Sequence, residues 1–241
     1  MSVYVMADLH LSTNRNTNKS MEVFGTRWNN YLDKIQKNWT KLVAPDDTVV
    51  IPGDFSWALT IEEAKEDFSF VDSLPGRKLL GKGNHDFWWT TGKKMSEFLT
   101  SNGFSTISFL HNNAYEIESR ILCGTRGWFL DEKSQTTVGS VDFDRIVNRE
   151  LIRFKISLEE ASKLRDATGK PMIAFLHFPP VWKDFVFRQM LDLLHDYQVT
   201  RLYFGHIHGT YNVPPLMEVE GIRMSLCSAD YLNFTPLRVN D

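Results

Sequence analysis

The sequence predicts an α/β fold. Short apolar runs of strand length alternate along the chain with longer segments of helical periodicity. Five of the apolar runs end at turns rich in histidine, acid, asparagine or glycine, namely Asp8-Leu9-His10, Gly53-Asp54, Gly83-Asn84-His85-Asp86, His177 and Gly205-His206-Ile207-His208. Because loops beyond the carboxyl ends of strands converge on one crevice in α/β sheets, these segments predict a single polar site.

The first half of the chain contains three predicted strands and two predicted helices. The strands are apolar or β-branched runs that stop at turn residues, and the helices carry apolar residues every three or four positions. In chain order the elements are the strand Val3 to Ala7, the helix Met21 to Val43, the strand Thr48 to Pro52, a helix after Thr60 and the strand Arg77 to Leu80. The first helix should bury one face formed by Phe24, Trp28, Tyr31, Leu32, Ile35 and Trp39. Thr60 and Glu63 have the spacing of a capping box.

The second half begins with a predicted hairpin around Glu118-Ser119 and a polar, mobile segment over Leu130 to Val141. A long helix from about Phe143 to Ala167 should stop at Gly169-Lys170-Pro171. The remaining predicted elements are the strand Met172 to Leu176, the helix Phe185 to Tyr197, the strand Arg201 to Phe204 and antiparallel strands over Tyr211 to Val213, Met217 to Val219 and Ile222 to Cys227. Since the chain shows no repeat and no linker, we expect one domain over residues 1–241.

Composition excludes several classes of protein. The net charge of −3 is spread over interspersed acids and bases, so no surface for extended nucleic acid is expected. Two cysteines without paired spacing argue against a disulfide framework and a thiolate zinc site. The predicted strand at Val3 leaves no room for a secretory signal, and no apolar stretch approaches the roughly 20 residues that cross a bilayer. We therefore expect a cytoplasmic protein without membrane association.

The residue types at the strand ends indicate a metal site. Histidine, aspartate and asparagine offer imidazole and oxygen ligands that suit divalent metals. Two side chains separated by one residue, as in Asp8 and His10, project the same way from an extended segment. One such residue alone would ordinarily be a cap or a turn residue. Five segments in order, with complementary ligand types, favour a metal-centred hydrolase.

The complete series consists of Asp-x-His at Asp8, Gly-Asp at Asp54, Gly-Asn-His-Asp at Asn84, a lone His177 and Gly-His-x-His at His206. This series resembles that of the calcineurin-like superfamily of binuclear metallophosphoesterases. The resemblance implies a four-layer sandwich of two mixed β-sheets flanked by helices, with two divalent metals in the crevice. Manganese is the expected metal, and iron, zinc, nickel and magnesium are alternatives. It places Asp8, His10 and His208 on the first metal, Asn84, His177 and His206 on the second, and Asp54 on both.

The resemblance also implies a mechanism. A hydroxide between the two metals would attack phosphorus in line while the cations neutralise charge on the phosphoryl oxygens. His85 would remain off the metals and, as an imidazolium supported by Asp86, would protonate the departing alkoxide. The alternative for Asp86 is an N-cap of the helix that follows it.

The expected substrate is a small phosphodiester. Trp57 stands three residues after Asp54, where many family members carry an acid, and the segment after the last strand reads Ser225-Leu226-Cys227-Ser228-Ala229-Asp230 where relatives commonly have Asn-Pro-Gly-Ser. Aromatic residues near the predicted ligands could stack on an ester substituent, and the candidates are Phe55, Trp57, Trp88, Trp89, Phe178 and Trp182. Arg126 could clamp a phosphate oxygen, or lie on the surface without a ligand. A phosphomonoesterase is the alternative enzyme, and a metal-binding scaffold protein is the alternative of another class.

Overall fold

The computed structural model describes residues 1–14, 19–129 and 143–240, so the predicted polar segment Leu130 to Val141 lies outside the described residues. The strands are β1 Val3–Val5, β2 Thr48–Pro52, β3 Arg77–Gly81, β4 Ile107–Phe109, β5 Ala114–Ile117, β6 Arg120–Thr125, β7 Met172–Leu176, β8 Val181–Trp182, β9 Phe185–Val186, β10 Arg201–Phe204, β11 Met217–Val219, β12 Ile222–Leu226 and β13 Leu237–Arg238. The α-helices are α1 Tyr31–Leu42, α2 Lys65–Ser73, α3 Gly92–Asn102, α4 Phe143–Thr168 and α5 Arg188–Asp196.

The strands form two mixed sheets. The first has the order β13-β1-β2-β3-β4, in which β1 to β4 are parallel and β13 is antiparallel to β1. The second has the order β11-β12-β10-β7-β6-β5, with four parallel central strands and an antiparallel strand at each edge. The strands β8 and β9 pair as a separate hairpin.

The two sheets face each other and carry helices on their outer faces. Side chains of β1, β2 and β3 meet those of β6, β7 and β10 in one apolar cluster, which includes Val5, Val50, Leu122, Ile173 and Tyr203. A second cluster joins α1, α2 and α3 to the first sheet, and a third joins α4 and α5 to the second. The expected sandwich of two mixed sheets flanked by helices is confirmed.

The predicted helix over Met21 to Val43 is wrong in its first half. Two short 3₁₀ turns, Met21–Phe24 and Thr26–Trp28, precede α1. Gly25 has φ 120° and Asn30 has φ 54°, and neither angle is compatible with a continuous right-handed helix. The apolar periodicity was preserved across the break, but Phe24 is exposed instead of joining the buried face.

Other boundaries also differ from the sequence prediction. Thr60 and Glu63 do form the reciprocal capping contacts, of 3.2 and 3.3 Å, but the α-helix itself begins at Lys65. The predicted helix over Phe185 to Tyr197 starts with β9, and only Arg188–Asp196 is helical. Tyr211 to Val213 forms no strand. The hairpin β5–β6 and the long helix α4 are confirmed. Within the described ranges, no helix combines the length and apolarity that crossing a membrane requires.

Candidate metal centre

The polar side chains singled out in the sequence meet at the carboxyl ends of strands from both sheets. They are Asp8 and His10 after β1, Asp54 after β2, Asn84 and His85 after β3, His177 after β7, and His206 and His208 after β10. The backbone at Asp8, His10, Asp54 and His206 has positive φ, between 46° and 67°. Such conformations are uncommon outside glycine and concentrate at functional sites, where the surrounding structure holds them.

One group of side chains that could hold a metal consists of Asp8, His10 and His208, whose ligand atoms all lie within 4.8 Å of one another. His10 Nε2 is 3.1 Å from His208 Nε2, and His208 Nε2 is 3.5 Å from Asp8 Oδ1. Two nitrogen ligands about 2.1 Å from one metal ion would lie roughly 3.0–3.4 Å apart at octahedral or tetrahedral angles. The spacing of the two imidazole nitrogens therefore fits a shared cation.

A second group of side chains consists of Asp54, His177 and His206. Asn84 adjoins it, because its Oδ1 lies 2.8 Å from His177 Nε2. The other ring nitrogen of His177 lies 3.2 Å from the carbonyl oxygen of Pro52, which orients the imidazole. A backbone carbonyl on the far nitrogen is the usual way in which proteins fix the tautomer of a metal-binding histidine.

Asp54 lies between these two groups. Its Oδ2 is 3.7 Å from His10 Nε2 in the first group and 3.5 Å from His177 Nε2 in the second. Its Oδ1 accepts a hydrogen bond of 2.8 Å from the backbone nitrogen of His85. One carboxylate thus reaches both groups, the position expected of a residue that bridges two cations.

The electrostatics of three of the histidines suit a metal site. Burial, followed by the neighbouring histidines, holds the pKa of His10 and of His177 well below the usual value and that of His206 at about 3. These rings are neutral at physiological pH, as metal ligands must be. Burial, with Asp86 and Asp8, raises the pKa of Asp54 well above the usual value. Cations in this crevice would compensate the crowded carboxylates, so the donor set fits two divalent metals.

Asp230 supports the first group, and sequence reasoning missed this role. Its Oδ1 lies 2.8 Å from His208 Nδ1, and its Oδ2 accepts hydrogen bonds from the backbone of Gly209 and the hydroxyl of Tyr211. Burial acts to lower the pKa of His208, but Asp8 and Asp230 outweigh it and raise this pKa to about 10. The only signal in the local pattern was an acid in the unusual segment after the last strand.

His85 reaches the centre, but Asp86 does not support it as predicted. The Asp86 carboxylate accepts hydrogen bonds from the backbone of Asp54, Phe55 and Gly83 and from Trp88 Nε1. It therefore ties the loops after β2 and β3 together. Thr91, and not Asp86, caps the following helix. Burial, followed by Lys19, lowers the pKa of His85 to about 4, which favours the neutral ring in the absence of substrate.

Three of the candidate substrate residues, Trp57, Trp88 and Arg126, lie in different environments. Trp57 is half-buried and stacks on His10, with ring centroids 4.8 Å apart. Trp88 is fully buried against Phe55 and Phe68, so its assignment to the crevice wall is wrong. Arg126 is buried and ion-paired with Glu150, which rules out the surface interpretation.

Two other aromatic residues near the predicted ligands also pack in the core: Phe55 and Phe178 are buried. Phe87, which was not among the predicted candidates, is 56% exposed. Its ring centroid lies 6.1 Å from that of His85. Exposed aromatic surface beside the centre therefore includes Phe87 and the half-buried Trp57.

Residues 1–210 match the model of the calcineurin-like phosphoesterase family, so the chain belongs to that family. It is accordingly a metal-dependent hydrolase of phosphoesters. Phosphopantetheinyl hydrolase (PptH) from Mycobacterium tuberculosis is similar over 99% of this chain and 95% of its own, with a TM-score of 0.57 and 14% identity. The protein TT1561 of Thermus thermophilus is similar over 99% and 97%, with a TM-score of 0.55 and 10% identity. At these identities the likeness concerns the fold alone. No curated protein sequence gives a significant match.

Proposed function

We propose that this protein hydrolyses a small phosphodiester with the help of two divalent metals. The observation that carries the proposal is the position of Asp54, whose Oδ2 lies within 3.7 Å of His10 Nε2 and within 3.5 Å of His177 Nε2. A single carboxylate in reach of two ligand groups is the arrangement that a pair of close cations needs.

The side chains of the two groups divide between two cations in this proposal. Asp8, His10 and His208 would hold one cation, and Asn84, His177 and His206 the other, with Asp54 on both. When bound, such cations lower the pKa of water and neutralise charge on phosphoryl oxygens. Asp230 holds the His208 ring, and Asp86 holds the loops that carry Asp54 and Asn84.

His85 is the candidate proton donor to the leaving group. Its ring is neutral before substrate binds, because burial lowers its pKa to about 4. A phosphoryl anion beside it acts in the opposite direction and favours the protonated ring. Trp57 contacts the His85 ring, with centroids 4.4 Å apart, and so restricts its orientation. His85 would donate a hydrogen bond, and then the proton, to the departing oxygen.

Exposed aromatic surface beside His85 favours the diester. A diester carries a second substituent that must be accommodated, and an aromatic side chain offers a face for a flat one. Phe87 and the half-buried Trp57 supply such surface next to His85, so aromatic faces are available for a substituent besides the leaving group.

A phosphomonoesterase is the second candidate. Lys82 and Arg126 adjoin the Asn84 and His177 side of the centre, and cations there would favour the extra charge of a monoester.

The test compares matched chromogenic substrates. We expect purified protein supplied with manganese to bind two metals per chain by elemental analysis and to show a higher kcat/KM for bis(p-nitrophenyl) phosphate than for p-nitrophenyl phosphate. A phosphopantetheinyl ester is a third substrate, since one protein of this fold is named for acting on that group. A clear preference for the monoester would replace the diesterase proposal with the phosphatase.

A further inference from the structure

A set of basic side chains adjoins the metal centre on the side of Asn84 and His177. This cationic cluster consists of Lys82, Arg126, Arg149 and Arg153. Arg126 lies within electrostatic reach of the other three, and Lys82 also of Arg153. Lys82 stands two residues before Asn84 in the loop after β3. The carbonyl oxygen of Arg126, in the loop after β6, accepts hydrogen bonds of 3.1 and 2.8 Å from the backbone nitrogens of His177 and Phe178. Two loops of the cluster are therefore attached directly to the second group of ligands.

Acids within the described residues compensate the cluster only in part. Glu150 Oε1 accepts hydrogen bonds from both Arg126 Nη2 at 2.7 Å and Arg153 Nη1 at 2.8 Å. Asp86 also acts on Lys82. Four basic residues against these two acids leave an excess of two positive charges. Because Glu150 is fully buried and fixes both guanidinium groups, the positive field has a defined position next to the centre.

Two buried N–H donors beside the cluster have no acceptor in the described part of the chain. They are Nε of Arg126 and Nε1 of Trp128. The Arg126 guanidinium carbon lies 4.3 Å from the centroid of the Trp128 ring, so both donors belong to one packed unit. Buried donors are rarely left unpaired unless a ligand or water supplies the acceptor. The Arg126 side chain keeps a tenth of its surface exposed, so the unit is not sealed from solvent.

The Trp128 ring links this unit to the second group of ligands. Its centroid is 5.0 Å from that of Phe178, and the Phe178 centroid is 4.1 Å from that of His206. A ligand bound at Arg126 and Trp128 would thus be one aromatic ring away from the ester held at His206. That separation suits a group on a substituent of the substrate better than an oxygen of the scissile phosphoryl group.

We propose that Lys82, Arg126 and Trp128 bind a second anionic group, a phosphate or a carboxylate, carried on one substituent of the phosphodiester. The inference rests on the proposed function, because the metal centre must hold the scissile phosphoryl group while the cationic cluster holds the second anion. The favoured substrate is then an ester with at least two anionic groups.

The test measures binding, so it does not depend on turnover. Isothermal titration of the metal-loaded protein would use three probes with three carbon atoms each: propylphosphonate, 3-phosphonopropionate and propane-1,3-diphosphonate. We expect at least one of the two probes that carry two anionic groups to bind about tenfold or more tightly than propylphosphonate, which carries one, since hydrogen bonds to charged groups are strong. The probe that binds more tightly shows whether the second anion is a carboxylate or a phosphate.

Three variants test whether the gain in affinity comes from Arg126 and Trp128 or from positive charge in general. Arg126→Lys keeps the charge and loses Nε, and Trp128→Phe keeps the ring and loses the donor. Both should reduce the tenfold gain to about threefold or less. Lys163→Gln removes an exposed positive charge on the same helix as Arg153 and should keep the gain in full. Thermal melts confirm that each variant is folded, and Trp128→Phe remains informative should Arg126→Lys fail to fold.

Equal affinity of wild type for all three probes would overturn the inference, and so would variants that retain the gain. The proposed function is judged separately, by hydrolysis of bis(p-nitrophenyl) phosphate, which carries no second anion. Turnover of that ester without any gain for the probes with two anionic groups would support the diesterase and refute the second anion site.

Discussion

Asp54 is the residue on which both ligand groups depend. It reaches His10 and His177, and its raised pKa shows how strongly burial and the neighbouring carboxylates oppose its charge in the absence of cations. We expect Asp54→Asn to reduce metal content at both positions, because an amide brings no charge to a pair of cations. His208→Ala should mainly empty one position. Elemental analysis and competition with a chelator measure both effects, and two tightly held metals in Asp54→Asn would contradict the bridging role.

Asp230 acts on the metal centre through His208. We expect Asp230→Asn to weaken metal binding at the first group by about 10- to 100-fold, the usual cost of losing a carboxylate behind a ligating histidine. The matched control is Tyr211→Phe, which removes one hydrogen bond to Asp230 Oδ2 but leaves the contact with His208 in place. Metal titration should separate the two variants, and equal affinities would show that Asp230 does not tune the site.

A substitution at His85 tests proton donation separately from metal binding. Its backbone nitrogen holds Asp54 Oδ1, and alanine preserves that contact. We therefore expect His85→Ala to keep its metals and to lose activity, by about 100-fold or more, on esters with poor leaving groups. Activated aryl esters need less protonation and should suffer less. An equal loss on both classes of substrate would argue against a proton donor.

At the scale of elements, glycines permit the loops after β2 and β3 to touch. A Cβ at Gly83 would overlap the backbone nitrogen and the carboxylate of Asp54, and a Cβ at Gly53 would lie 2.6 Å from the nitrogen of Gly83. Neither position can accept a side chain unless backbone moves. The close approach lets Asp86 bind amides of both loops at once. The metal centre is therefore built on a fixed pair of turns.

This close packing can be tested with one glycine substitution that should disrupt the turns and one that should not. Gly83→Ala should displace Asp54 and abolish metal binding and activity together, with a loss of stability of about 1–3 kcal/mol. Gly92→Ala is the control, because a Cβ there meets nothing within 4 Å and the position begins α3. That change should leave activity intact and stabilise the fold by up to about 0.5 kcal/mol. Unfolding curves and metal analysis report both outcomes, and normal metal content in Gly83→Ala would refute the steric account.

At the scale of the whole molecule, the metal centre spans the two sheets. Asp8, His10, Asp54 and Asn84 follow strands of the first sheet, and His177, His206 and His208 follow strands of the second. Beneath the centre the sheets are joined by apolar packing, in which Phe175 and Tyr203 of the second sheet share one cluster with Val5 and Val50 of the first. Bound cations would add a polar link at the same end.

Metal removal should consequently destabilise the entire fold. A ligand present at 100 times its dissociation constant stabilises by about 2.7 kcal/mol, which for a chain of this length corresponds to a Tm change of roughly 5–10 °C. We expect a chelator to lower the Tm of wild type by about that amount and to have little effect on Asp54→Asn. Differential scanning calorimetry with and without chelator is the measurement. An unchanged Tm in wild type would show that the two sheets do not depend on the cations.

Local patterns in the sequence were enough to predict the strands that carry the site. Apolar runs such as Met172 to Leu176 and Arg201 to Phe204 end at turns that carry histidines, a residue type suited to metal binding. The ordered set of histidines and acids indicated metal ligands, and the structure brings these side chains together in two groups. The periodicity of apolar residues and the residue types at turns are local properties, so both can be read from a single sequence.

Only the tertiary structure decided which neighbouring side chains act with the ligands. Asp86 was expected beside His85 and instead binds backbone amides, while Asp230, far away in the chain, holds His208. Trp88 and Phe87 are adjacent in sequence, yet one is buried and the other exposed. These outcomes depend on contacts between distant segments, on burial and on the direction of each side chain. None of these is encoded in local periodicity, because two chains with the same pattern can pack the same residue inward or outward.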